Sequence, residues 1–578
     1  MKLTTKEENQ EVIRKVIEEN QEIIDLINND LILIGDDYYR TKGIAEDIFI
    51  KAIQIKNWFP IQSFVGMLYK KYADDTLTNR ANVFDEIMQL IIDCSLIETS
   101  VLDIKYSKNN HLMVKGKYYD DEISKSINLP YDEPQKGHIR FGSIKERAKG
   151  KWEDVIEILN NQKFTIDKSI VKYFKFDKDW SNERVADEKR KQIILREIPS
   201  KKPFYFKWGT DYRGRIYCSG DTLNPQGDDY RKSMLKYEPI ELNSVGEVWL
   251  KIKIASAFGL DKEPKWKQLT WFNKNEKNLE KLRDNADDRY EYITLVNDYR
   301  KYQNGKSIGT IVGVDAPQSQ LQILALILKS KAIAKASNLI GDEKQDNYKK
   351  LAEEMSKMLG VKLDRSEVKY MLMTFGYGAG DLRLSKIAKR DFKSENIHKL
   401  KMEDIIDAFH KAVNNILPGL EETMKEINSW WNPSGISFTM PDGFKVNVFE
   451  SDDKYFEGVY DILDDSKEIK FKADGIISKK KKSLLPFVSI VHAIDGYIAR
   501  EMVRRTNDRD IDIYTIHDDF RVHPNYAQWC IDEYRKIFQE LLDKDIVYDI
   551  IKEAFGIKIR KNRGDLRAKD IDGSYILF

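Results

Sequence analysis

The chain has 578 residues, 41% of them apolar and 11% aromatic, which is enough to build real cores and excludes wholesale disorder. Although 33% of the residues are charged, the net charge is only +1, so any nucleic-acid binding would need basic residues gathered in a cleft. Cys94, Cys218 and Cys530 form no CxxC pair, which argues against a disulfide framework or zinc site and fits a reducing cytoplasm. No run reaches the roughly eighteen apolar residues of a spanning helix, so no membrane partner is expected. Residues 1–100 read as mainly helical, opening on MKLTTKEENQEVIRKVIEEN, a charged helix without an export signal's apolar core. From Ile104 to Gly142, shorter runs punctuated by Tyr, Gly and Pro read as strands and loops. Helical periodicity covers WEDVIEILNNQKFTIDKSIVKYF, and a basic helix, NERVADEKRKQIILREI, ends at Pro199. KPFYFKWGTDYRGRIYCSG alternates as a strand broken at Gly214 and Gly220, and WLKIKIASAFGL is a helix. SIGTIVGVDAPQSQLQILALILKSKAIA gives an apolar strand, a proline turn after Asp315 and a buried helix. RSEVKYMLMTFGYGAG is a helix running into a glycine stop. Between Phe438 and Phe471, hairpins turn at Pro441–Gly443 and Asp464–Lys467. IDIYTIHDDFRVH is a hairpin showing an acid at its tip.

Two acidic turns carry the first chemical signal. VGVDAPQ and TIHDDFRV each end an apolar strand on an aspartate, poorly solvated and beside rigid backbone, a setting that suits hard cations seeking oxygen. Asp315 and Asp518 together could hold two ions about 4 Å apart for in-line phosphoryl transfer. Either acid alone reads as readily as the cap of a following helix. Arg365, Lys369, Met373 and Tyr377 share one helical face that ends at Gly378. Two cations above a ring make a rail for a triphosphate, although the same spacing fits an ordinary amphipathic helix end. Asp211-x-x-Gly214-Arg215, followed by Tyr217, lets a guanidinium meet a phosphate beside a glycine, or is a β-turn with neighbouring charges.

Taken in order, DYRGR at 211–215, VDAPQSQLQ around Asp315, RSEVKYMLMTFGYG, FTMPDGFKV at 438–446, VHAIDG at 491–496 and IHDDF at 516–520 form a series. The series resembles the single-subunit DNA-dependent RNA polymerases of bacteriophages and mitochondria, over roughly Trp152 to Phe578. The resemblance implies an α+β, right-hand polymerase fold with a small, mainly helical N-terminal domain at 1–145. A linker helix and short thumb would follow at 146–205, then a palm at 206–335 and fingers at 336–490 with a specificity hairpin near 454–475. The palm would resume at 491–578 and end in a C-terminal foot. It implies two Mg²⁺ ions on Asp315, Asp518 and the Ala316 carbonyl, and a triphosphate neutralised by Arg365, Lys369 and Lys262. Tyr377 and Gly378 would form the nucleotide platform, and His492 with Tyr377 would monitor the ribose. Arg215 and Tyr217 would grip the template, and Lys232 would meet an initiating nucleotide. The implied partners are a DNA template, an RNA product and NTPs.

This chain departs from the family in three places. Gln320 stands five residues after Asp315, where the family has Gly and related DNA polymerases have a Glu that blocks a 2′-hydroxyl. Asp519 replaces the usual Ser after Asp518, and strand alternation is expected to turn it away. The region before Asp211 is shorter than in promoter-binding phage enzymes. This implies a single-stranded or pre-melted template, an accessory single-strand-binding or promoter-recruitment protein, and a phage enzyme in the cytoplasm of an infected bacterium. The alternatives are a DNA polymerase of the related family and a catalytically inactive nucleic-acid-binding scaffold. Residues 1–200 show no exonuclease carboxylate set for the first, and every catalytic position is filled, against the second.

Overall fold

The computed structural model describes residues 152–173, 202–220, 223–376, 378–393, 400–430, 436–448, 451–462, 465–477, 485–556 and 564–578, with shorter runs within 47–139 and 194–200. It comprises two compact units. One holds Met1–Glu133, Arg196–Ile198 and Glu450–Lys479, the other Pro134–Leu195, Pro199–Phe449 and Lys480–Phe578. The helix expected at the start of the chain, and nearly all of the basic helix and thumb expected over 174–203, lie outside the described residues.

In the first unit, Leu112–Gly116 is the central strand of an antiparallel sheet, between Phe59–Pro60 and Leu102–Tyr106. Ile48, Phe49, Phe64, Ile87, Ile91 and Val114 are buried there. Ser451–Ile462 and Asp465–Ile477 form the long hairpin expected at this place, pairing from Ile462 with Asp465. Its turn therefore comes earlier than the expected Asp464–Lys467.

The second unit opens with α1 (Trp152–Asn161), which stops well short of Phe174. Asn160 accepts from the Trp208 N–H at 2.7 Å, and Phe164 exchanges two backbone bonds with Phe204 at 2.9 and 2.8 Å. Here a long-range pairing overrides local helical periodicity. β1 (Lys207–Thr210) and β2 (Ile216–Ser219) are the antiparallel arms around the 211–215 turn. There follow α2 (Ser244–Ala255), β3 (Val312–Asp315), α3 (Ser319–Leu328), α4 (Asn347–Leu359), α5 (Arg365–Gly376) and α6 (Met402–Ile416). The hairpin of β4 (Ile436–Thr439) and β5 (Lys445–Val448) turns at Pro441–Gly443 as expected. The chain then runs through α7 (Leu485–Asn507), β6 (Ile513–Ile516), β7 (Asp519–Val522) and α8 (Ala527–Asp543).

β6, β7 and β3 form one antiparallel sheet with β7 in the middle. Val312, Val314, Phe520 and Val522 are buried, with the Phe520 ring 5.6 Å from Tyr534 of α8. Each such side chain stabilises by about 1.5–3 kcal/mol when buried, so this face anchors the sheet. Alternation sends Gly313, Asp315, Asp519 and Arg521 to the opposite face. Among the described residues, no helix is long and apolar enough to cross a membrane.

Candidate active site

Ile516 pairs with Asp519, so His517 and Asp518 are the two-residue turn between β6 and β7. Such turns favour positive φ, and His517 supplies it at 59°. The Ala316 N–H donates to the Asp518 carbonyl at 3.2 Å, which ties this turn to the end of β3. Asp315 also exchanges backbone bonds with Phe578, at 3.0 and 2.9 Å. The two acids are thereby fixed beside each other on rigid backbone.

Enclosure by protein, followed by the charges of Asp518 and Asp519, pushes Asp315 well above the carboxylate range; Arg521 and Lys253 pull the other way. Water reaches Asp315 through the cleft, so the like charges are the firmer cause of that direction. Burial and then Asp495 push Asp518 up too, against a hydrogen bond from Ser319. Asp519 does not turn away as expected. It stands opposite Asp315 in register, which puts both on one face, and its carboxylate accepts from Arg521 Nε at 2.7 Å. The pairing register decides the face, and β7 alone does not reveal it.

The acids line a cleft of about 570 Å³ together with Lys262, Arg365 and Lys369. That volume suits a nucleotide-sized ligand. Arg365 Nε donates to Asp346 at 2.7 Å, and its guanidinium lies 5.0 Å from the Tyr348 ring centroid. Burial, then Arg365 and Lys262, lowers the pKa of Lys369. These crowded cations would be relieved by an anion. Lys369→Ala is therefore expected to cost about 2–4 kcal/mol of transition-state stabilisation, weakening both nucleotide affinity and turnover. Single-turnover incorporation measures this; a change in thermal stability alone would make Lys369 a helix residue only.

Gln320, in the first turn of α3, packs against the end of α5. A Cβ at Gly376 would stand 2.5 Å from Gln320 Nε2, so glycine at 376 makes room for this glutamine. Nε2 is buried and has no hydrogen-bond partner among the described residues. Gly378 follows, its N–H donating to the Phe375 carbonyl at 2.6 Å, and Tyr377 lies outside the described residues.

The 211–215 turn is organised by Asp211, whose carboxylate accepts from the backbone N–H groups of Arg213 at 2.9 Å and Arg215 at 3.0 Å. Arg215 Nη2 meets Asp495 at 3.0 Å, and the Tyr217 and His517 rings pack edge to face at 5.2 Å. Arg213 Nη1 meets His492 Nδ1 at 2.5 Å. Burial, then Arg215 and Arg213, pushes His492 down to about 2, which keeps the ring neutral and able to accept. Arg215, Tyr217 and His492 thus sit around the Asp518 turn and outside the cleft lining. Lys232 pairs with Asp229 at 2.8 Å and also lies outside that lining.

Sequence reasoning missed Lys253, Lys344 and Arg521 in the lining. A signal was present for Lys253, a lysine amid Trp249, Leu250, Ile252 and Ile254 on a helix too apolar to leave it solvated. Arg500 was missed as well; it is fully buried beneath Gly214.

The profile of the DNA-dependent RNA polymerase family matches residues 240–436, a span that carries Asp315, Arg365 and Lys369. A probable DNA-directed RNA polymerase of Neurospora crassa is 26% identical over 403 residues, covering 58% of this chain and 44% of that protein. Over these spans the chain is similar to DNA-dependent RNA polymerases. Also similar are the mitochondrial DNA-directed RNA polymerase 1 of Arabidopsis thaliana and the chloroplastic polymerase 3 of Nicotiana sylvestris. They are 23% and 21% identical, each match covering 64% of this chain, with 43% and 42% of the relatives covered. The chain thus spans less than half the length of these relatives. Their names are those of nucleotidyltransferases. They also correct the expected setting. The matched polymerases are fungal and plant proteins, the plant ones mitochondrial or chloroplastic by name, so the cytoplasm of an infected bacterium loses its support.

Proposed function

We propose that this chain is a single-subunit RNA polymerase that adds ribonucleotides to an RNA 3′ end on a DNA template, releasing pyrophosphate. One observation carries the reading: Asp315 and Asp518, fixed on one sheet, share a cleft with Lys262, Arg365 and Lys369. Carboxylates pushed up by burial and by their neighbours' charge are what a divalent cation would stabilise, and the donors are the hard oxygens that Mg²⁺ prefers. Among the described residues, no group of three or more His, Cys, Asp or Glu forms a self-sufficient metal site. Asp315, Asp518 and the Ala316 carbonyl would therefore hold two Mg²⁺ ions together with water and substrate phosphate, as Mg²⁺ sites commonly do. Bound there, the ions would supply an activated 3′-hydroxyl and neutralise charge on the leaving group. The protein's own part is to orient. Arg365, Lys369 and Lys262 align the triphosphate and balance charge developing on pyrophosphate. Tyr377 and Gly378 form the nucleotide platform, neutral His492 checks the ribose through its neighbours, and Arg215 and Tyr217 steady the template.

In the proposed layout, 206–335 and 491–578 are palm, 336–490 fingers, 146–205 a short thumb, and Lys232 a contact for the initiating nucleotide. The test is extension of an RNA primer on single-stranded DNA with Mg²⁺ and all four NTPs. Template-directed RNA is expected, and absence of product on every template overturns the reading. An accessory single-strand-binding or promoter-recruitment protein belongs to the same proposal. Initiation on linear duplex DNA should be at least about tenfold weaker than on a pre-melted bubble, because opening base pairs costs stacking energy that the bubble has already lost. Equal, sequence-specific initiation on duplex DNA by the protein alone would contradict that part.

A further inference from the structure

Phe578 sits among cations. Lys344 Nζ lies 3.6 Å from the centroid of its ring, Lys253 Nζ 5.2 Å and Lys265 Nζ 6.0 Å. These lysines come from the loop before α4, from α2 and from the helix Lys265–Asn275. Lys344 is itself held, donating to the Asp261 carbonyl. The backbone of Phe578 is meanwhile bonded in both directions to Asp315. Two residues after Lys344, Asp346 caps α4 and accepts from Arg365. A single short segment therefore touches the ring that braces the acid strand and anchors the arginine of the cation rail.

We propose that Lys344 is a positioning residue: its ammonium caps the Phe578 ring, and through that ring it holds the Asp315 backbone in register beside Asp518. Lys253 supports the same ring from the floor of the cleft. A cation over an aromatic face is a directional contact, strengthened where water is thin. Burial, then Lys262 and Lys253, brings Lys344 down to about 7, so the ammonium that caps the ring is the form present below that pH, where the contact is to be tested. The inference rests on the polymerase reading only for its consequence in catalysis, since every contact in it lies within the chain itself.

The test is amide hydrogen exchange of peptides 312–318 and 574–578 in the protein without nucleotide. Lys344→Met removes the charge and keeps an apolar chain, so both peptides should exchange at least about fivefold faster while α8 is unchanged. Lys344→Arg should restore protection, because a guanidinium also stacks on rings. Phe578→Leu should loosen the same two peptides, and adding Lys344→Met to it should change nothing more, the partner being already gone. Unchanged exchange in Lys344→Met, or additive loosening in the double variant, overturns the proposal. If Lys344→Met does not fold, the Phe578→Leu arm decides, and unaltered exchange of 312–318 in it overturns the proposal equally. Because no nucleotide is present, these outcomes do not depend on whether the protein polymerises.

Discussion

Asp315→Asn and Asp518→Asn are each expected to lower single-nucleotide incorporation by at least about a thousandfold while the protein stays folded. The two carboxylates are the acids that meet at the end of β3 and the β6–β7 turn, and their backbone is fixed by Ala316 and Phe578. Asp519 shares their face, with one carboxylate oxygen accepting from Arg521, but it is not one of the two acids tied together at the end of β3 and the turn. The pair should act as a unit, and the double variant should be little worse than the poorer single one. Stability should not suffer. Like charge pushes Asp315 up, so removing one charge relieves repulsion in the metal-free protein, and its melting temperature should stay level or rise. Single-turnover kinetics with a thermal scan check both halves. Activity within about tenfold of wild type for either variant would place the chemistry elsewhere.

Arg500→Met should carry the largest stability cost, about 3–5 kcal/mol, because it strands a buried charge. Arg500 is fully buried; Nε and Nη2 donate to Asp442 at 2.5 and 3.0 Å, and Nη1 donates to the Gly214 carbonyl at 2.6 Å. Its guanidinium lies 4.7 Å from the Phe444 ring centroid. Burial alone would raise the Asp442 pKa, but Arg500 overcomes it and holds the carboxyl below its usual range. A carboxyl with a depressed folded pKa stabilises above its unfolded value near 3.8 and loses that contribution as pH falls through the folded value. At neutral pH the pair is therefore fully engaged. Arg504 stands 3.7 Å from Asp442 and would recover only part of the loss. Adding Asp442→Asn to Arg500→Met should restore some stability by removing the stranded charge. Arg500 also supports the turn that carries Arg215, so template affinity should fall more than turnover. Denaturant midpoints measure the effect, and a loss below about 1 kcal/mol would mean Asp442 finds another partner.

The parts legible in the sequence share a local cause. IDIYTI and DFRV alternate cleanly around two polar residues, and β6, β7 and the acid at their turn follow from that pattern. Arg365 and Lys369 stand four apart, so one helical turn puts both into the cleft. What was not legible depends on partners distant in the chain. The face of Asp519 follows from β7 pairing with β3, a register that lies in neither strand alone. The helix predicted beyond Asn161 gives way because Phe164 finds Phe204. Lys344 sits in a polar loop that reads as solvated surface, and only the fold brings it over Phe578. Gln320 was visible as a departure, but its fit against Gly376 needed the packing of α3 on the end of α5.

That fit makes sugar choice the most direct test of the central claim. Gln320 keeps a buried amide nitrogen without a partner among the described residues, at the end of α5 beside Gly376. A side chain that turns a donor to the sugar rejects one lacking the matching hydroxyl, whereas a bulky side chain rejects the sugar that carries one. The measurement is single-nucleotide incorporation of GTP against dGTP opposite the same template cytosine, by wild type and by Gln320→Gly. Wild type is expected to prefer GTP by at least about tenfold, roughly 1.4 kcal/mol. A wild type that prefers dGTP, with the preference reversed by Gln320→Gly, would make this protein a DNA polymerase and contradict the account.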